Sequence, residues 1–408
     1  MKRYETYKDS GIQWWEEIPT HWDLKKAKHM FSLVTENVSD SSLPKIALEN
    51  IESWTGKYIE TDSEFMGEGV EFKKDDILFG KLRPYLAKVY KAEFTGQAVG
   101  DIYVFRGNEE QAPEYLKYLL LSYPFISVVD GSTYGAKMPR ANWNFISHLV
   151  LPCPPKIEQK NIATYLDRKV SQIDATIAEK EQMLEDLKNY RSAIISEAVT
   201  KGLDRNVEIR DSGIDKFPMI RSNWNTSKLK YIASIRSGSA LPINNIKKDA
   251  LYEVYGGNGC MGRADEYNTE SPAIIIGRVG ALCGNVHLIK TKKWVTDNAL
   301  ILNIKRDVTY EYLYYYLTAY DLNTLNSSNA QPLITGTKVL DVVTPMPSLN
   351  EQIMIANYLD DKTSMIDETI DQITVQIVEL KSYKSALITE AVTGKIDLRE
   401  WKPKEENV

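Results

Sequence analysis

The chain has 408 residues, 43% of them apolar, and a formal net charge of −6. That length predicts two or three domains with real cores, and no apolar run approaches the ~18 residues a membrane span needs. Met1-Lys2-Arg3-Tyr4-Glu5 has no apolar run behind it, so no signal peptide is expected. Cys153, Cys260 and Cys283 are scattered without metal-ligand spacing, which fits a reducing cytoplasm, and the four histidines form no HExxH or paired pattern. The acidic balance argues mildly against a nucleic-acid binder, but totals hide local fields.

In chain order, the first signal is Asp9-Ser10-Gly11-Ile12, with Pro19 and Trp22 behind it. It returns at an offset of 202 as Asp211-Ser212-Gly213-Ile214 and Trp224. A globular segment follows each copy. The two segments can be laid over each other at an offset of 197. Ile77-Leu78-Phe79-Gly80-Lys81 falls on Ile274-Ile275-Ile276-Gly277-Arg278, two apolar runs broken by glycine and read as buried strands entering turns. Asp101–Phe105 falls on Asn298–Leu302 as another strand, and Glu114-Tyr115-Leu116 falls on Glu311-Tyr312-Leu313 as the start of a helix. Pro152-Cys153-Pro154-Pro155 and Pro345-Met346-Pro347 then stop each domain.

The third repeated part is a long helix. Residues 158–200 and 351–393 share 23 identities in 43 positions, among them Glu158-Gln159/Glu351-Gln352, Tyr165-Leu166-Asp167/Tyr358-Leu359-Asp360 and Glu197–Thr200/Glu390–Thr393. Chance gives only a few, so this is an internal duplication. Ile366, Ile370, Ile373, Ile377, Leu380, Lys384, Leu387 and Ala391 step by heptad spacing, as do Ile173, Ile177, Lys180, Leu184, Leu187, Arg191, Ile194 and Ala198. A helix of ~38 residues is ~57 Å long and cannot bury such a stripe alone, so its duplicate is the expected partner. Lys and Arg on the seam interrupt it and are placed to fix register.

Signatures of chemistry are few. Gly257–Gly262 satisfies GxGxxG, but no amphipathic helix follows it, so a surface turn is the expected structure. A P-loop, a GxSxG elbow and an Asn/Asp-Pro-Pro-aromatic tetrapeptide are all missing from the sequence. The acidic run from Glu60 to Asp76 reads as a solvated face. Local charge is more suggestive of nucleic acid. From Gly80 to Tyr90 the chain carries Lys81, Arg83 and Lys88 with two tyrosines and no acid. Residues 224–345 hold 13 basic against 10 acidic residues, whereas 22–150 hold 15 against 18. Reading bases needs Arg, Lys, Asn or Gln held on loops, and neutralising phosphates needs Lys and Arg.

The twofold order of opening segment, domain and helix resembles the specificity (S) subunit of type I restriction–modification systems over essentially the whole chain. The resemblance rests on Asp9–Ile12 with Ile18-Pro19 and Trp22, on the proline-rich approach to Glu158-Gln159 and Glu351-Gln352, and on the Tyr-Leu-Asp…Glu-Ala-Val-Thr helices. Asn258-Gly259…Gly262 and Gly277-Arg278…Gly280…Gly284 also resemble target-recognition-domain patterns. The second opening segment departs from the first, with Lys216-Phe217-Pro218 where Trp14-Trp15-Glu16 stands.

The resemblance implies a mixed α/β fold with two target recognition domains of one kind. Two long helices separate them, form an antiparallel coiled coil and create an internal pseudo-two-fold repeat. The expected divisions are 1–21, a first recognition domain at 22–155, a central helix at 156–200, and a linker repeating the opening segment at 201–223. A second recognition domain at 224–347, a C-terminal helix at 348–393 and a tail at 394–408 complete the chain. The implied role is non-catalytic: reading a bipartite double-stranded DNA target and docking two methyltransferase (M) subunits. S-adenosylmethionine belongs to the M subunits, which methylate adenine, and ATP and Mg to restriction (R) subunits; none is expected on this chain. Half-sites about a helical turn apart, ~34–36 Å, suit a rigid helix pair as spacer.

Lys81 and Arg278 are the leading candidate contacts because they follow matching strands. Arg83, Lys88, Arg263, Lys292 and Lys293 are candidate phosphate contacts. Loops 131–140 and 327–338 offer Thr133, Lys137, Arg140, Asn329, Gln331 and Lys338, and Asn258 lies in the Gly-rich turn. Two other classes compete: a coiled-coil assembly scaffold without DNA specificity, and an enzyme using the GxGxxG turn for a nucleotide.

Overall fold

The computed structural model describes residues 2–38, 42–61, 68–133, 137–204, 206–280, 282–326 and 332–402. They form two compact units, one of Met1–Lys180 with Val375–Val408 and one of Glu181–Thr374. The architecture is mixed α/β. Two long helices, Lys156–Lys201 and Leu349–Val392, each give one half to either unit. Among the described residues no helix is long and apolar enough to cross a membrane.

In unit 1 a four-stranded antiparallel sheet runs in the order Phe31–Val34, Ile102–Gly107, Ile77–Gly80, Val89–Lys91. A second sheet, ordered Asn37–Val38, Gly69–Phe72, Gly96–Ala98, Lys45–Ile46, packs on it through Ile46, Phe72, Leu78, Ala98 and Val104. Unit 2 repeats the first sheet as Ala233–Ser237, Ala299–Ile304, Ala273–Gly277, Val286–Ile289. Register repeats as well: Ile102 pairs Gly80, and Ala299 pairs Gly277. The run Ile274-Ile275-Ile276 lacks polar alternation because both its faces are covered. Ile274 and Ile276 join the core with the Tyr310–Tyr320 helix, while Ala273 and Ile275 join a second cluster with Val295 and Ile301.

The opening segments fold alike. Tyr7–Asp9 pairs with Glu17–Pro19, and Ile209–Asp211 pairs with Met219–Arg221. The sequence departure at Phe217 keeps the hairpin, with the Ser212 N–H donating to Pro218 O as Ser10 N–H donates to Glu16 O (both 2.8 Å). Phe217 instead packs its ring against Tyr316 and Tyr320.

The residues repeated on the helices are the ones that staple each domain to its helix. Gln159 Oε1 accepts from Ala112 N, and Gln352 Oε1 accepts from Thr309 N, each at 2.8 Å. Their amides donate to Pro154 O (2.9 Å) and Pro347 O (3.0 Å). Glu158 and Glu351 accept from the indoles of Trp22 and Trp224. The fully buried Tyr115 and Tyr312 hydroxyls donate to Pro152 O and Pro345 O, both 3.2 Å. The same hydroxyls reach the helix-end carbonyls of Val392 and Val199. Tyr118 and Tyr315 donate to Asp167 and Asp360 at 2.6 Å. Buried polar groups must be paired, so these staples fix how each domain seats.

Within unit 1 Lys384 Nζ meets Asp174 Oδ1 at 2.7 Å and Lys180 meets Gln376 at 2.7 Å; within unit 2 Arg191 meets Asp367 at 2.8 Å. Pairs whose numbers rise on one helix as they fall on the other are antiparallel. Asp174 and Asp367 are duplicates of each other, as are Lys384 and Arg191, so one ion pair is built twice. The seam isoleucines 173, 177, 366, 373 and 377 are buried. Helix starts follow the proline clusters, and Ser348 with Glu351 forms a capping box. The second helix ends at a left-handed Gly394 (φ 75°), where a Cβ would stand 2.3 Å from Pro19 Cδ.

One sequence expectation is corrected. Within the acidic run, Asp76 is not on a solvated face: it is buried, and Arg106 holds it in a bidentate pair at 2.9 and 2.6 Å. The Ile102–Gly107 strand lies beside Ile77–Gly80 and brings Arg106 to it. Residues 62–67 of that run lie outside the described residues.

Candidate nucleic-acid interface

Each unit has one main-chain clamp just beyond its central glycine-terminated strand. In unit 1 Lys81 N–H donates to Asp101 O (2.9 Å), Ala141 N–H to Lys81 O (2.8 Å) and Arg83 N–H to Pro139 O (2.8 Å), with Leu82 bridged to Arg140. In unit 2 Arg278 N–H donates to Asn298 O (3.0 Å), Ile334 N–H to Arg278 O (2.9 Å) and Gly280 N–H to Pro332 O (3.2 Å), with Val279 bridged to Leu333. The ends of loops 131–140 and 327–338 are thereby tied to the strand exits carrying Lys81 and Arg278. Sequence places these stretches 52 to 60 residues apart; pairing makes them neighbours.

Unit 1 gathers Lys81, Arg83, Lys137 and Arg140 with the exposed Tyr85 and Met138. Asp101 organises the cations behind them. It takes Arg140 Nε and Nη2 at 3.1 and 3.0 Å and lies 3.8 Å from Lys81 Nζ, which also stands over the Tyr103 ring. The carboxylate holds the Arg140 guanidinium pKa above its ordinary value. Sequence reading missed Asp101, although its place at the head of the neighbouring strand, matched by Asn298, was a usable signal. Lys88 is turned away from this surface. Its Nζ donates to Leu48 O (2.6 Å) and Ile51 O (2.8 Å), and burial lowers its pKa. Thr133 caps the Tyr123–Gly131 helix through Asp130 O (2.8 Å).

In unit 2 the Gly-rich stretch is a β-hairpin, Tyr252–Gly256 with Gly259–Ala264, turning at Gly257-Asn258. A dinucleotide fingerprint needs a helix N-terminus here, and a strand follows instead. Asn258 is exposed at the tip. The hairpin lies so close to the clamp that a Cβ on Gly277 would stand 2.2 Å from Gly257 O, and one on Gly257 3.0 Å from Asn298 O. Asn258 and Arg278 are thus brought together. Arg278 Nη1 makes a 3.4 Å bond to Ser237, and burial lowers the pKa of His287 under the same turn.

The remaining described candidate cations of unit 2 are engaged within the domain. Arg263 donates to Ala250 O and to Leu251 O (3.0 Å), Lys292 to Tyr267 Oη (2.9 Å) with Glu270 at 3.3 Å, and Lys293 pairs with Glu253. Lys338 donates to Leu325 O at 2.8 Å. Asn329 and Gln331 lie outside the described residues.

Residues 221–379 match the family model for the type I restriction modification DNA specificity domain. The stretch takes in the globular part of unit 2 and the first 31 of the 44 residues of the second long helix. This part of the chain is similar to the DNA specificity domain of type I restriction–modification systems. The chain is 31% identical over 162 residues to the type I restriction enzyme EcoprrI specificity subunit of Escherichia coli, covering 39% of this chain but only 38% of that protein's own length. It is 22% identical to the putative type I restriction enzyme MjaX specificity subunit of Methanocaldococcus jannaschii, covering 96% of this chain and 98% of the relative. A chain from a solved type I R-M system superposes with a TM-score of 0.73 at 16% identity, covering 93% of this chain and 99% of that one. The last likeness shows a shared fold.

Proposed function

We propose that this chain is the non-catalytic DNA-reading subunit of a type I restriction–modification complex, each unit reading one half of a split target. The matched clamps carry the reading. One main-chain scaffold, built twice, presents Lys81, Arg83 and Arg140 in one unit and Arg278, Gly280 and Leu333 in the other. Side chains read base edges while backbone contacts set register, so a fixed scaffold with changed side chains is what two half-sites require. Arg83 and Lys137, both exposed, are placed for phosphates, and Arg278 with Asn258 for base edges.

In this reading the long helices form an antiparallel coiled coil about a pseudo-two-fold axis. The duplicated pairs Asp174–Lys384 and Asp367–Arg191 support it. Two identical methyltransferase subunits would use that symmetry, bringing S-adenosylmethionine, and restriction subunits would bring ATP and Mg. The setting is cytoplasmic double-stranded DNA. A map of methylated adenines in cells expressing the chain with a partner methyltransferase tests the reading. It expects two short defined halves around a fixed gap, lost when this chain is deleted. A stable, active complex with no motif would favour an assembly scaffold.

A further inference from the structure

Resting on that reading, we infer that Arg140, held by Asp101, specifies one guanine in the half-site read by unit 1. Arg140 is fixed twice over. Its backbone is bridged to Leu82, with hydrogen bonds on either side from Arg83 N–H to Pro139 O and from Ala141 N–H to Lys81 O. Its side chain is fixed by the two-point contact of Nε and Nη2 with the Asp101 carboxylate. The residue is nevertheless open to a partner, its side chain 52% exposed against 22% for Asp101.

A guanidinium has five N–H donors in a planar fork. Asp101 uses one edge, the Nε–H and one Nη2–H. The outer edge, formed by the other Nη2–H and an Nη1–H, stays available with its direction set. Two parallel donors match the O6 and N7 acceptors that guanine shows in the major groove. Adenine places a donor beside its N7, and cytosine shows a donor there, so neither accepts the fork.

Charge separates this role from phosphate binding. Asp101 sits 3.0 Å behind Arg140, and a phosphate approaching the pair meets a carboxylate as well as a cation. Among the described residues no carboxylate pairs with Arg83 or Lys137, so those two are the better phosphate ligands. The pair is therefore built for direction more than for attraction. Among the described residues unit 2 shows no such device at its clamp. Leu333 holds the bridge position of Arg140, and Asn298 stands where Asp101 does.

The test is a methylated-adenine map of the assembled complex carrying Arg140→Lys, with Arg140→Ala and Asp101→Asn beside it. Arg140→Lys keeps the charge and loses the fork. The expected result is a G·C pair in one half-site that becomes degenerate, with discrimination there falling about 10- to 100-fold while the other half-site is unchanged. Asp101→Asn, which removes the carboxylate that orients the fork, relaxes the same position and leaves the other half-site unchanged. A motif unchanged in Arg140→Lys, or a degenerate position that was not G·C, would overturn the inference and leave the reader intact, whereas changes in both half-sites would overturn the division of the target between the units as well. A wild-type complex without any split motif would overturn both.

Discussion

At its clamp unit 1 sets a carboxylate behind its cations, and among the described residues the matching clamp of unit 2 does not. At matched positions Asp101 faces Asn298, Arg140 faces Leu333, and the buried Asp76–Arg106 pair faces Ala273 and Asn303. The sheet order, the register at the central glycine and the three clamp hydrogen bonds are nevertheless the same in both. The fold is therefore carried by main-chain pairing, apolar cores and the helix staples, while the polarity of the outward surface is free to drift. Under the proposed function, two readers of different half-sites need that separation of duties.

The comparison can be sharpened where the units should behave alike. Gln159→Ala and Gln352→Ala each leave a buried N–H and C=O unpaired, so each should cost about 2–4 kcal/mol. Near-equal losses in denaturant melts are expected; a loss in one unit only would show that the staples are not duplicates in energy. It can be broken where the units should differ. Arg106→Ala strands the buried Asp76 charge and should cost about 2–3 kcal/mol, reduced from the fully buried case by the partial exposure of Arg106. Asn303→Ala at the matched place should stay within about 0.5 kcal/mol. Equal effects would contradict the account of unit 1.

The smallest effect concerns pH. Burial works to raise the Asp174 carboxyl, but hydrogen bonds from Lys384 and Lys57 outweigh it and hold the pKa below its usual value. A depressed folded-state pKa stabilises above the unfolded value of about 3.9, and this stabilisation is lost as pH falls through the folded value. Lys384→Met should therefore flatten the acid limb of a stability profile by under about 1 kcal/mol, with little change from pH 9 to 10.

Repetition made most of the fold legible in the sequence. The heptad stripe, the doubled Asp-Ser-Gly-Ile segment and the paired glycine-ended strands are local patterns, and local patterns survive in a linear string. Glu158-Gln159 and Tyr165-Leu166-Asp167 stood out as repeated, but their task as staples needed the partners Trp22, Ala112 and Tyr118 in place. The site was less legible. Lys81 and Arg278 were found because the strands before them match. Asp101 was missed because its contact with Arg140 spans 39 residues and exists only after the loop pairs with the strand exit. Lys88 looked like a surface cation; a lysine that folds back on two carbonyls has the same local sequence as one that reaches out.

The central claim is that each unit owns one half of the target. The most direct measurement is a methylation map of a chain in which residues 224–345 are replaced by the matching segment of unit 1, both long helices kept. The account predicts a split motif whose two halves have become the same, around an unchanged gap. A motif still holding the original unit 2 half, or a new sequence in both halves, would contradict it.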